Sequence, residues 1–290
     1  METRKIQKSG TTHYLYLPAS WCREHNISTD SIVHLSKSSR GNLVIQPKKP
    51  ESTSSSLKIE LSGNNPEVIN KMIIASYINP IKEFEIQLKK NIDPDQILEH
   101  KKLLGGMELV DFEDTKIHCQ TSLALSDPDI LLLSMIKKIL NIVKLMKKDS
   151  KHELIKRYEQ EVDKSNLLIQ KSIITSLMYK RESKLKHVEL YYIGLISRIL
   201  ERLSDMLVTL EDDKELVDII DNMMNSLYSL LEKNNLTQEG VVNFIENLAT
   251  LDKVIVKDLK TYKQKRVYSL IGHITETLSD WVITEKIDKE

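Results

Sequence analysis

The chain has 290 residues, enough for two or three separately buried cores. Its 42 basic and 42 acidic residues cancel, so net charge alone points to neither a nucleic-acid nor a membrane partner. Two cysteines, Cys22 and Cys119, stand far apart without metal-ligand spacing, which excludes a disulfide framework and fits a reducing cytoplasm. Arg4, Lys5 and Lys8 interrupt any apolar leader. No stretch approaches the roughly 20 apolar residues of a spanning helix, so the expectation is a cytoplasmic protein without membrane insertion. Scarce Gly and Pro with abundant Leu, Ile, Lys and Glu suit long helices.

The charge is unevenly spread. Residues 1–50 hold eight Lys/Arg against three Asp/Glu, a net of +5 that leaves −5 for the rest. Arg4 to Lys8 and His13 to Leu17 read as strands flanking the turn Ser9-Gly10-Thr11-Thr12. Pro18 opens a helix over Ala19 to His25, and Asn26 offers a left-handed stop. Ile32 to Leu35 and Leu43 to Ile45 follow as strands around a turn at Ser38 to Asn42. So small a module has little interior of its own, and no metal or disulfide staple is at hand, so a dimer sharing hairpins between two chains is expected.

Several of these residues carry a resemblance: Arg4-Lys5-Ile6-Gln7-Lys8-Ser9-Gly10, Tyr14-Leu15-Tyr16-Leu17-Pro18, Trp21 and Leu43-Val44-Ile45-Gln46-Pro47. Residues 3–49 resemble the AbrB/SpoVT swapped-hairpin family, with Thr29-Asp30 where that family usually has Gly-Asp before its third strand. The resemblance implies an intertwined homodimer that binds DNA. Arg4, Lys5, Lys8, Arg23, Lys37 and Arg40 are the candidate contacts, since basic side chains on strand edges and a helix can follow a phosphate backbone and release counterions.

Residues 49–56 have the composition of a linker. A small α/β connector over 57–125 is expected next: a strand at Leu57 to Leu61, a helix from Pro66 to Tyr77 capped by Asn65, and a strand at Ile81 to Leu88. A helix from Pro94 to Leu104, stopped by Gly105-Gly106, precedes a hairpin of Glu108 to Glu113 with Lys116 to Thr121. No phosphate-cradling glycine loop lies between a strand and a helix N-terminus.

The remainder, 126–290, reads as a helical bundle. Ser126-Asp127-Pro128-Asp129 resembles a capping box opening a helix through Met146. Five more helices are expected at 150–182, 185–210, 213–233, 238–261 and 264–286. Residues 201–209 recur at 276–284, a spacing of 75: Glu201, Leu203, Ser204, Asp205 and Thr209 answer to Glu276, Leu278, Ser279, Asp280 and Thr284. Two three-helix units, 126–210 and 213–286, follow.

A Glu-x-x-x-Asp pair sets two carboxylates one turn apart on one helix face, where they repel unless a cation intervenes. Glu159 with Asp163, Glu201 with Asp205, and Glu276 with Asp280 make three such stripes, and His273 extends the last. Asp252, with Ile245, Leu248, Ala249, Ile255, Val256 and Leu259 at helical spacing, would lie on an apolar face and need a partner or a cation. Oxygen-rich clusters of this type suit Fe, Mn or Mg, with Zn as a further candidate.

The paired motifs on repeated three-helix units are similar to the PhoU family of phosphate-uptake regulators. The resemblance implies multinuclear metal binding by Glu159, Asp163, Glu201, Asp205, Glu276 and Asp280, with Asp252 in a fourth stripe where Leu248 replaces the preceding carboxylate. Together the three regions describe an α+β multidomain chain: an AbrB-like swapped-hairpin domain, an α/β connector and an all-α PhoU-like bundle. The expected function is a phosphate-responsive transcriptional regulator. The alternative is a PhoU-like interaction protein acting on a phosphate transporter or sensor kinase without touching DNA. A ferritin-like di-metal enzyme would use Glu-x-x-His, which residues 126–290 lack, and no hydrolase motif stands in the chain, so no enzymatic activity is expected.

Overall fold

The computed structural model describes residues 3–37, 42–47, 56–91, 93, 102–113, 115–148, 152–179, 184–210, 213–232, 236–247 and 258–289. Among them the chain is α+β, and it divides into two compact units, Met1–Ser52 and Thr53–Glu290.

In the first unit, β1 (Gln7–Ser9) and β2 (Thr12–Tyr14) form a hairpin whose turn needs the positive φ of Gly10, 59°. These strands are shorter than the sequence suggests. α1 (Ala19–Glu24) starts after Pro18, whose carbonyl takes the amide of Cys22. It ends as expected at Asn26, φ 52°, with Ile27 N–H donating to Cys22 O and Asn26 N–H to Arg23 O, the paired bonds of a Schellman stop. β3 (His34–Lys37) pairs antiparallel with β4 (Leu43–Gln46). Within one chain the two hairpins share no sheet, and no described side chain of this unit is buried. Ile6, Tyr16, Ile32, Leu35 and Leu43 are each more than 60% exposed.

The second unit opens with a sheet of order β5-β6-β8-β7, built from β5 (Ser56–Leu61), β6 (Glu83–Leu88), β7 (Met107–Glu113) and β8 (Lys116–Thr121). β5 and β6 are parallel neighbours joined through α2 (Pro66–Ile78), and β6, β8 and β7 run antiparallel in turn. Asn65 caps α2 by accepting from Glu67 N–H at 2.9 Å. Helical spacing sets Ile69, Ile73 and Tyr77 of α2 on one face, which buries against Phe84, Ile86, Leu88, Ile117 and Cys119. The alternate residues of the strands carry charge: Glu85 reaches Lys58 and Lys116, and His118 meets Glu83 at 2.8 Å. Gly106, φ 69°, closes the turn into β7, where an added Cβ would lie 2.6 Å from Leu123 Cδ1. The helix expected over 94–104 falls mostly outside the described residues.

Among the described residues six helices follow: α3 (Pro128–Lys147), α4 (His152–Tyr179), α5 (His187–Thr209), α6 (Lys214–Glu232), α7 (Gln238–Glu246) and α8 (Leu259–Lys289). α3 is central, packing on α4, α5 and α6, while α5 also contacts α4 and α8. Leu132, Met135, Ile136, Ile139, Ile142 and Val143 of α3 head the core, each almost wholly buried. Among the described residues no helix is long and apolar enough to cross a membrane.

Two expectations at helix ends need correction. Asp127 occupies the cap of α3 without a side-chain cap bond, so the anticipated capping box is absent. The fifth bundle helix ends at Glu246 instead of 261, and the last begins at Leu259 instead of 264. The early start of the last helix has a cause in a reciprocal cap: Thr261 N–H donates to Asp258 Oδ1 at 2.8 Å, and Asp258 N–H to Thr261 Oγ1 at 3.0 Å. Ile245 and Leu259 therefore belong to different helices, and the apolar face expected around Asp252 lies outside the described residues.

α4 also meets the sheet layer. Its Leu167 and Leu168 pack on the sheet's core, and its Lys171 is buried against the C-terminal end of α2. Lys171 Nζ donates to Tyr77 O at 2.5 Å and Asn79 O at 3.1 Å, and stands 4.7 Å from the centroid of the Tyr77 ring. Burial pushes this ammonium down to about 8.

Candidate metal centre

α4 and α5 run antiparallel, and the seam between them is polar on one side of the bundle core. At one level Gln170 Nε2 donates to Gly194 O at 3.4 Å and to Ser197 Oγ at 3.2 Å, and Ser197 Oγ donates to Asn166 Oδ1 at 3.1 Å. Gly194 lets the helices approach, since a Cβ there would lie 3.2 Å from Ile173 Cδ1. This ladder fixes the register, so that further along the seam Glu159 and Asp163 of α4 come beside Asp205 of α5.

One carboxylate oxygen from each of Glu159, Asp163 and Asp205 lies within 4.8 Å of the other two. Two are half-buried and Asp205 sits exposed at the rim. Asp163 Oδ1 is fully buried and has no hydrogen-bond partner among the described residues. Such an atom is costly unless a proton or a cation satisfies it. Burial, then the neighbouring charges of Glu159, Asp205 and Glu201, push the Asp163 carboxyl up to about 7. Glu159 is also raised, by burial and then by Asp205. Glu201 is raised by burial and by Asp205, with Arg202 and Arg198 pulling the other way. Loss of water around Asp205 raises it too.

The donor set fits a hard cation. Ligand oxygens at about 2.0–2.6 Å from a divalent ion are separated by distances of the size found here. A cation would remove the mutual repulsion of the carboxylates and satisfy the orphaned oxygen, and Glu201 is near enough to add its charge.

The other residues singled out from the sequence are placed differently. His273, Glu276 and Asp280 are exposed on α8 and join no cluster of possible ligands among the described residues. Asp252, expected in a fourth stripe, lies outside the described residues. In the first unit Arg4, Lys5, Lys8, Arg23 and Lys37 are all exposed: Lys8 on β1, Lys37 ending β3, and Arg23 in the last turn of α1, where its Nε reaches Ala19 O at 3.4 Å. Arg40 lies outside the described residues.

The sequence reading missed the Asn166–Ser197–Gln170 ladder and Lys171. A signal for the second exists: Leu167, Leu168 and Ile174 stand three and four positions from Lys171, so the lysine shares a face with apolar residues.

No protein-family model matches the chain, and neither the curated proteins nor the solved structures compared with it gave a match.

Proposed function

We propose that this chain is a cation-dependent, phosphate-responsive regulator of the PhoU type, whose first unit dimerises and contacts DNA through its basic side chains. The observation that carries the reading is the approach of Glu159, Asp163 and Asp205, with a buried Asp163 oxygen that no group among the described residues satisfies. Fe, Mn, Mg and Zn all accept such carboxylates, and the oxygen-only set favours the harder ions. The exposed apolar side chains of the first unit support a homodimer, because a second copy would cover them and give the two hairpins a shared interior. Its surplus of Lys/Arg supports a polyanionic partner.

Mn²⁺ binding by isothermal titration tests the first half: the wild type should bind and Glu159→Gln should lose at least tenfold in affinity. Equal binding by both proteins would place the ion elsewhere. Gel shifts on the chain's own promoter test the second half, with affinity falling steeply as salt rises. Absence of binding at low ionic strength would favour the other reading, a dimeric interaction protein for a phosphate transporter or sensor kinase. The same exposed apolar face would serve dimerisation alone in that case.

A further inference from the structure

We infer that α4 is a coupling rod: cation occupancy between Glu159, Asp163 and Asp205 tightens the seat of the α/β sheet layer through Lys171, and the closed Lys171 contact in turn strengthens cation binding. The inference rests on the cation reading of that cluster.

The residues concerned follow one another along one helix. Glu159 and Asp163 supply the cluster, Asn166 and Gln170 are tied to α5, Leu167 and Leu168 enter the sheet's core, and Lys171 ends on the carbonyls of Tyr77 and Asn79. Asp163 and Lys171 are eight residues apart, about 12 Å along a helix. Over so short a span of regular hydrogen-bonded helix, a displacement at one end is carried to the other.

Each end has a reason to be sensitive to the placement of α4. At the cluster, like-charged carboxylates from α4 and α5 resist approach until a cation lies between them. At the other end, a buried ammonium holds two main-chain oxygens and an aromatic face, and among the described residues it meets no carboxylate. Such an ammonium tolerates its loss of water only while those acceptors stay within reach, so a small shift of α4 costs it heavily. The carboxylate oxygens converge in the same arrangement in which Lys171 is closed on Tyr77 and Asn79. A cation and the lysine contact therefore favour one placement of α4, and by linkage each strengthens the other by the same factor.

The test uses the full chain with Mn²⁺ as probe. Backbone hydrogen exchange over residues 66–88 and 107–121 should slow severalfold on adding Mn²⁺ to the wild type, and not in Glu159→Gln. Lys171→Met keeps the apolar stem and removes the charge, and should weaken Mn²⁺ binding by about fivefold or more. If Mn²⁺ binds the wild type and not Glu159→Gln, yet exchange in the sheet layer is unchanged and Lys171→Met binds as tightly as wild type, the rod fails while the cation site stands. If the wild type binds no Mn²⁺, the site fails and the rod with it. Should Lys171→Met not fold, the exchange comparison in the wild type decides alone.

Discussion

A carboxyl that titrates at about 7 in the folded chain and at 3.8 otherwise holds its proton more firmly when folded. Across that window the folded state of Asp163 carries more protons than the unfolded one, so its contribution to stability is present at low pH and is lost as pH rises towards 7. The metal-free protein should therefore melt at lower temperature near pH 7 than near pH 5, with part of the slope removed in Asp163→Asn. Thermal melts at a series of pH values measure this, and an unchanged slope in the variant would mean that other groups set it. Added Mn²⁺ should raise the wild-type melting temperature at neutral pH and leave that of Asp163→Asn unmoved. A second expectation at this scale concerns Gly106, whose positive φ and the 2.6 Å approach of Leu123 leave no room for a side chain. Gly106→Ala should cost about 1–3 kcal/mol, read from urea unfolding. The carboxylate pairs were legible because spacing by four fixes a shared helix face. Which pairs would converge was not, since that depends on the register of two helices, set by Gly194, Ser197 and Gln170.

Most of the helices could be read from their apolar period, and errors gathered where a cap outweighs the period. Val254, Ile255, Val256 and Leu259 continue a helical pattern past residue 250, yet the paired bonds of Asp258 and Thr261 begin a new helix at Leu259. Asp258→Ala should cost about 1 kcal/mol of stability in denaturant titrations. The strands of the α/β layer were visible as alternating runs, and the hairpin of β7 with β8 followed from its turn. The order β5-β6-β8-β7 was not legible, because pairing between distant strands is decided by tertiary burial, which local pattern does not encode. The seam of α4 with α5 offers its own test. Gly194→Ala would press on Ile173 Cδ1 at 3.2 Å, so the helices must part slightly and Mn²⁺ affinity should fall while helix content, followed by circular dichroism, is retained.

For the whole molecule, a neutral total conceals a basic first unit and an acidic remainder. A first unit of this size has little interior of its own, and Leu35 and Leu43 are 62% and 63% exposed on the paired strands β3 and β4. Leu35→Asp combined with Leu43→Asp should convert a dimer to a monomer in sedimentation velocity, with the melting of the bundle unaffected. A dimer surviving both changes would place the contact in the second unit.

An unburied pair of hairpins also bears on how the proposed dimer would respond to its own abundance. Among its described residues the first unit buries no side chain, whereas the helices of the second unit carry a core within their own chain. If two copies pair as proposed, burial of these side chains is second order in concentration, and the paired population climbs faster than the amount synthesised. Under that proposal, modest changes in expression would act as a threshold, with sparse copies left single and abundant ones paired.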